Sequence, residues 1–137
     1  MKKNELDQKS IDSLANYRIE RAKETLLEAK TLIKNDFFNA AINRLYYACY
    51  YAVIALLVKN RIPAQTHAGV KQMLGLHFIL TKKLSSKYGR FYNQLFNDRI
   101  TGDYDDFVKF DKDTLGKLLP ESQEFISAIE KLLKSEN

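Results

Sequence analysis

Within residues 44 to 57, RLYYACYYAVIALL, one arginine stands beside four tyrosines. Arg44 is a permanent cation with a planar fork of donors, and Tyr47 and Tyr51 offer ring faces one helical turn apart. Such a set can hold a phosphate by charge and a base by stacking. It can equally be a buried polar network that fixes helix register, because a buried phenol wants a hydroxyl partner. A second candidate is RITGDY, residues 99 to 104. Arg99 can bind an anion there, with Asp103 and Tyr104 orienting it, or it can pair with Asp103 and tie a helix to the next loop. His67 is a third. An imidazole moves protons near neutral pH; at a helix start it can also simply bond to its neighbours in the bundle. His77, between Leu76 and Phe78, reads as structural. Lys82, Lys83, Lys87 and Arg90 make a basic cluster that suits an RNA or partner surface, or plain solvent.

Other chemistries find no footing. The single cysteine, Cys49, allows no intrachain disulfide and no cysteine cluster for a metal. There is no phosphate-cradling glycine loop, no zinc-spaced ligand set and no GxSxG elbow. No cofactor is expected. The N-terminal MKKNELDQKS has no apolar signal core. The uncharged run Leu45 to Val58 holds 14 residues, short of the ~20 a membrane span needs. A cytoplasmic protein without membrane attachment is the expectation. Its net charge is +5, unevenly spread. No Asp or Glu occurs from Phe37 to Asn97, which holds eight bases, whereas residues 98 to 137 carry ten acids against six bases. Such asymmetry favours an anionic partner, unless the segments neutralise one another in the fold.

The elements that position these residues are helices. Ala15, Ile19, Ala22, Leu26, Ala29 and Ile33 recur at spacings of four and three and predict an amphipathic helix over about 10–34. A second helix is expected over about 37–59, ended by NRIPAQT, where Pro63 excludes a helix interior. In projection Ala41, Leu45, Ala48, Ala52 and Ala55 form a small apolar face suited to close helix packing. Tyr46, Tyr47, Tyr50 and Tyr51 form the opposite arc, with polar tips. Thr66 is a candidate N-cap for a third helix over 67–80. A fourth is expected over 85–100, stopped by Gly102, then an acidic aromatic loop, DYDDFVKFDKD, and a last helix over 114–134. The chain is expected to be one domain over 1–137, core about 10–134, all-α, an antiparallel bundle of about five helices.

AAINRLYYACYYAVIALLVKNRI, then THAGV opening the next helix, then RITGDYDDF after the fourth resemble the HEPN family (higher eukaryotes and prokaryotes nucleotide-binding), in its small stand-alone prokaryotic branch. The resemblance covers about residues 10 to 134. It implies a four-helix up-and-down core, a homodimer, and a toxin–antitoxin pairing with a minimal nucleotidyltransferase. It also implies binding of RNA or a nucleotide. Many catalytic members are metal-independent RNases whose signature is an arginine, a polar neighbour, and a histidine after four to six residues. The matching place here is RITGDY, where Ile100 stands for the polar neighbour and Tyr104 for the histidine. A phenol with a pKa of ~10 is a poor base at neutral pH. The resemblance therefore implies a binding homodimer without the usual Arg/His motif. Its alternatives are an RNase toxin using Arg99 and Tyr104, and a purely structural interaction bundle. Arg61 and His67 also meet the spacing, but across Pro63 and a loop, and read as a chance match.

Overall fold

The computed structural model describes residues 7–135. Residues 1–6, which hold part of the segment read for a signal core, lie outside it, as do 136 and 137. Helix α1 spans Gln8–Lys34, α2 Phe38–Lys59, α3 His67–Leu74, α4 Ser86–Tyr104 and α5 Lys112–Ser135. No strand occurs among the described residues. A π-helical turn, Gly75–Ile79, continues α3, so the helix expected over 67–80 is an α-helix that widens halfway.

Caps fix the boundaries. Asp7 accepts from the Ser10 amide at 2.8 Å and Thr66 from the Gly69 amide at 2.9 Å, each satisfying a donor that the first turn leaves free. A Cβ on Gly69 would stand 3.0 Å from the Thr66 hydroxyl, so glycine lets that cap close. Two helices end in the left-handed region without glycine. After α1, Asp36 has φ 65° and the Phe37 amide reaches back to the Leu32 carbonyl at 2.9 Å. After α2, Arg61 has φ 55° and the Ile62 amide bonds the Leu57 carbonyl at 2.9 Å. Both follow the Schellman pattern.

The core is built around α2. Ala41, Ile42, Leu45, Tyr46, Ala48, Cys49, Ala52, Val53, Ala55 and Leu56 are all fully buried. Helix α1 packs along it most extensively, with α4 and α5 on its other sides. Ala15, Ala22 and Ala29 of α1 are buried too, and small residues on both helices permit close approach. Of the tyrosine arc, Tyr46 is wholly buried, because α4 closes over that side. Its ring lies 5.8 Å from Tyr92, and Tyr92 stacks on Phe125 of α5 at 5.6 Å. Aromatic rings thereby link α2, α4 and α5. As a whole, α2 is long and apolar enough to cross a membrane, which the 14-residue uncharged run understated. Most of its apolar window is covered by the other helices.

Helix α4 overturns one expectation. It does not stop at Ile100 or Gly102 but runs to Tyr104. Gly102 sits inside it and leaves room for a neighbour, since a Cβ there would come 3.3 Å from the Phe110 ring. The loop folds back onto this gap. Asn39 holds it, accepting from the Phe110 amide at 2.9 Å and donating to the Val108 carbonyl at 3.1 Å. Helix α5 starts at Lys112 rather than 114, capped by Asp111, which accepts from the Thr114 amide at 2.9 Å.

Candidate functional site

Three elements converge on the buried Tyr46. Helix α2 supplies the tyrosines. Helix α3, held by its Thr66 cap, presents His67 in its first turn, and α4 presents Arg99 one turn before its end. The His67 Nδ1 and the Tyr46 hydroxyl are hydrogen-bonded at 2.8 Å. The imidazole stacks on Tyr50 at 4.5 Å and meets Tyr47 edge-on at 5.6 Å. The Arg99 guanidinium lies over the same Tyr46 ring at 4.8 Å, with Phe96 at 5.8 Å and Tyr47 at 6.0 Å. Ring faces attract the cation but accept few of its N–H groups. Among the described residues its one carboxylate neighbour, Asp103, stands at 3.8 Å, beyond hydrogen-bond reach. Arg99 Nε is buried without a partner, and the side chain is 11% exposed. Asp103 is held from the other side by the Asn43 amide at 3.2 Å. Asn43 accepts in turn from Arg44 at 2.9 Å. Arg44 lies over Tyr47 at 5.2 Å and pairs with Glu28 of α1 at 3.4 Å.

The electrostatics follow from burial. Desolvation lowers the His67 pKa, and the nearby Arg99 charge lowers it further. A neutral imidazole is thereby favoured at physiological pH. Burial raises the Tyr46 phenol to about 12, so it stays protonated. Its bond to Nδ1 leaves the His67 Nε2 with no hydrogen bond among the described residues.

The structure thus brings together Arg99, Asp103, Arg44, Tyr47 and His67. Tyr51 lies one step along, 6.1 Å from Tyr47 and under the Arg21 guanidinium at 5.4 Å. Tyr104 is not among them: it ends α4 and is 78% exposed. Sequence reasoning left out Tyr46, Asn43 and Phe96 as site residues, and the α1 arginines Arg18 and Arg21. Arg18 acts on the Tyr50 phenol, and its Nε is buried without a partner. The α1 spacing carried a signal: Arg18 and Arg21 lie three apart, beside the buried stripe. The basic cluster is partly engaged. Lys87 pairs with Glu124 at 2.6 Å, and Lys83 lies over Phe78 at 5.6 Å. His77 sits 6.5 Å from the Phe78 ring, in the π-helical turn. No group of acids, histidines and cysteines among the described residues is placed to hold a metal ion.

The family model for the HEPN domain matches residues 15–132. A UPF0332 protein of Thermotoga maritima is 37% identical over 123 residues, 90% of this chain and 93% of that protein. Two proteins of Methanocaldococcus jannaschii, "Putative toxin MJ0142" and "Putative toxin MJ0605", are 33% and 34% identical. They cover 87% and 85% of this chain, and 81% and 86% of their own lengths.

Proposed function

The chain belongs to the HEPN domain family, and on that footing we propose that it is the nucleic-acid-binding half of a toxin–antitoxin-type pair, a homodimer that engages RNA or a nucleotide and is held by a minimal nucleotidyltransferase partner. The names of the Methanocaldococcus relatives support the toxin–antitoxin setting. One observation carries the binding reading: Arg99 is a nearly buried cation whose Nε has no partner and whose ion pair with Asp103 is as long as 3.8 Å. A buried charge left so poorly paired is costly, and two oxygens of a tetrahedral phosphate would match the planar guanidinium fork. Around it, Tyr47, Tyr50 and Tyr51 are half-buried rings flanked by Arg18, Arg21 and Arg44. Rings edged with guanidinium groups suit a single strand, whose bases stack and whose backbone tracks the charge.

The test is fluorescence anisotropy with a labelled single-stranded RNA oligomer. Arg99→Gln should weaken binding by about tenfold or more, since a charge-assisted hydrogen bond contributes ~1.5–3 kcal/mol. Arg90→Gln, away from the cluster, should bind as the parent does. Equal affinity for both variants would move the binding site away from Arg99, and no binding at all would leave only a structural bundle. The partner is tested by isolating the tagged chain from its host and identifying what copurifies.

A further inference from the structure

We propose that the groove between the π-helical turn and α4 is a docking site for an acidic amphipathic helix of a partner protein. Its walls include Lys71, Gln72 and Ile79 on one side and Ser86, Arg90 and Asn93 on the other, and its volume is about 420 Å³. Glycines shape it. A Cβ on Gly89 would stand 3.2 Å from Ile79, so glycine lets α4 close on the turn, whereas a Cβ on Gly75 would meet nothing within 4 Å. Next in the chain to Gly75 and Ile79, Leu76 is 48% exposed and Leu80 73%. Two large aliphatic side chains, four residues apart, thus stand in water beside the groove. Lys71 lies over the Phe96 ring at 4.4 Å, and Arg90 donates to the Ser86 hydroxyl at 3.2 Å. Among the described residues neither of them, nor the exposed Lys82, pairs with a carboxylate. The cause is in the sequence: α3, the π-helical turn and the first three turns of α4 all fall inside the acid-free segment 37–97.

The chemistry selects the occupant. Cations without carboxylates, set around aliphatic side chains, are complementary to acids flanking an apolar stripe. No strand occurs among the described residues, so an extended peptide finds no sheet edge to join, and a helix laid in the groove is the recognition mode that remains. Its apolar residues would sit on Leu76, Ile79 and Leu80, and its carboxylates on Arg90 and Lys82. Single-stranded RNA fits less well. It needs ring faces for its bases, and here Phe78 is buried and Phe96 is covered by Lys71. A second copy of the chain also fits less well. Helix α1 carries four acids and six bases, and α5 four of each, while the acidic loop before α5 is not helical and is tied down by Asn39. Arg90 and Arg99 are about two and a half turns apart on α4, on opposite sides of it. Arg90 therefore faces away from the Arg99 cluster, and docking at the groove requires no RNA.

Two labelled synthetic peptides test this by fluorescence anisotropy. Both carry leucine along one helical face; one has glutamate at the other positions and the second has lysine. The glutamate peptide should bind and the lysine peptide should not. Raising salt from about 0.1 M to about 1 M shortens the screening length from ~10 to ~3 Å and should weaken binding severalfold. Arg90→Glu reverses an exposed charge and Leu80→Ser removes an exposed apolar contact, and each should weaken binding about tenfold. Lys30→Glu, the same reversal on the exposed side of α1, should bind as the parent does. Amide NMR spectra of the parent protein with the glutamate peptide should shift over residues 71–93. That map needs no variant, so the proposal stays exposed even if a variant folds poorly. No binding of the glutamate peptide, equal binding of the lysine peptide, or shifts confined to other helices would each overturn it. So would a single-stranded RNA that displaces the peptide and is itself weakened by Arg90→Glu, which would make the groove an RNA surface. A parent dimer that Arg90→Glu splits would give the groove to a second copy and overturn it likewise. Each of these failures leaves RNA binding at Arg99 to its own test by Arg99→Gln.

Discussion

His67 is set among Tyr46, Tyr47, Tyr50 and Arg99. Burial and Arg99 lower its pKa, so the unfolded chain binds a proton more readily than the native one. Stability must then rise with pH wherever the unfolded state holds more protons. The window opens at the ordinary 6.5 and extends down to the lowered native value. Above it the contribution is level; as pH falls through it, stability drains away. Thermal melts between pH 7.5 and pH 5 should show a fall in Tm for the parent that is smaller in His67→Gln. Equal slopes would mean that His67 is solvated and that its contacts with Tyr50 and Tyr46 do not persist. Cys49 belongs to the same scale. Burial raises its thiol to about 12, and a thiolate is what reacts. A thiol reagent at pH 8 should label it only on unfolding. The residue types of this site were legible in the sequence, since Arg99, Asp103, Arg44, Tyr47 and His67 all stood out. Their grouping was not. His67 and Arg99 meet only because α3 and α4 pack on one side of α2, and local spacing holds no record of that.

At the scale of the helices, the apolar stripes read true because burial against a neighbour imposes the period of 3.6. The stops read less well. Gly102 looked like a helix end because glycine enters the left-handed region freely, yet the left-handed positions are Asp36, Arg61 and Lys82. The glycine instead provides space under Phe110. Two substitutions separate these uses. Gly116 lies inside α5, and a Cβ added there would meet nothing within 4 Å, so Gly116→Ala should raise stability by ~0.5–1 kcal/mol through helix propensity. Gly102→Ala has the same propensity gain but drives a methyl to 3.3 Å from the Phe110 ring. It should lose that gain and loosen the loop that Asn39 holds, read as faster amide exchange at Phe110. A matching rise in Tm for both variants would show that Phe110 gives way freely. Arg61→Gly offers a third case: relieving a left-handed non-glycine at a helix C-terminus should stabilise by ~0.5–1 kcal/mol in chemical denaturation.

Across the whole molecule, the uneven charge of the sequence is partly cancelled by folding. Bases of the acid-free segment reach acids at both ends: Lys59 meets Asp12 at 2.6 Å, Arg44 meets Glu28 at 3.4 Å, and Lys87 meets Glu124 at 2.6 Å. The Arg44 and Lys87 pairs are largely exposed and worth little each, whereas Lys59 is 11% exposed; together they leave the aromatic and arginine-rich face as the more distinctive surface. The most exposed aromatic rings lie elsewhere. Phe107 is 97% exposed, Tyr104 78% and Phe37 61%, and Asn39 ties the loop carrying Phe107 to the start of α2 beside Phe37. Large rings left in water near one another mark a contact surface more often than chance exposure does. If the proposed homodimer uses this end of the bundle, light scattering after size exclusion should give about twice 15.9 kDa. Phe107→Ser should then shift the mass toward one chain at low micromolar concentration. Because Phe107 touches so little of its own chain, the melting temperature at matched monomer concentration should change only through the lost association. A variant that remains dimeric would move the interface elsewhere, and a parent that is monomeric at every concentration would remove the homodimer from the proposed function.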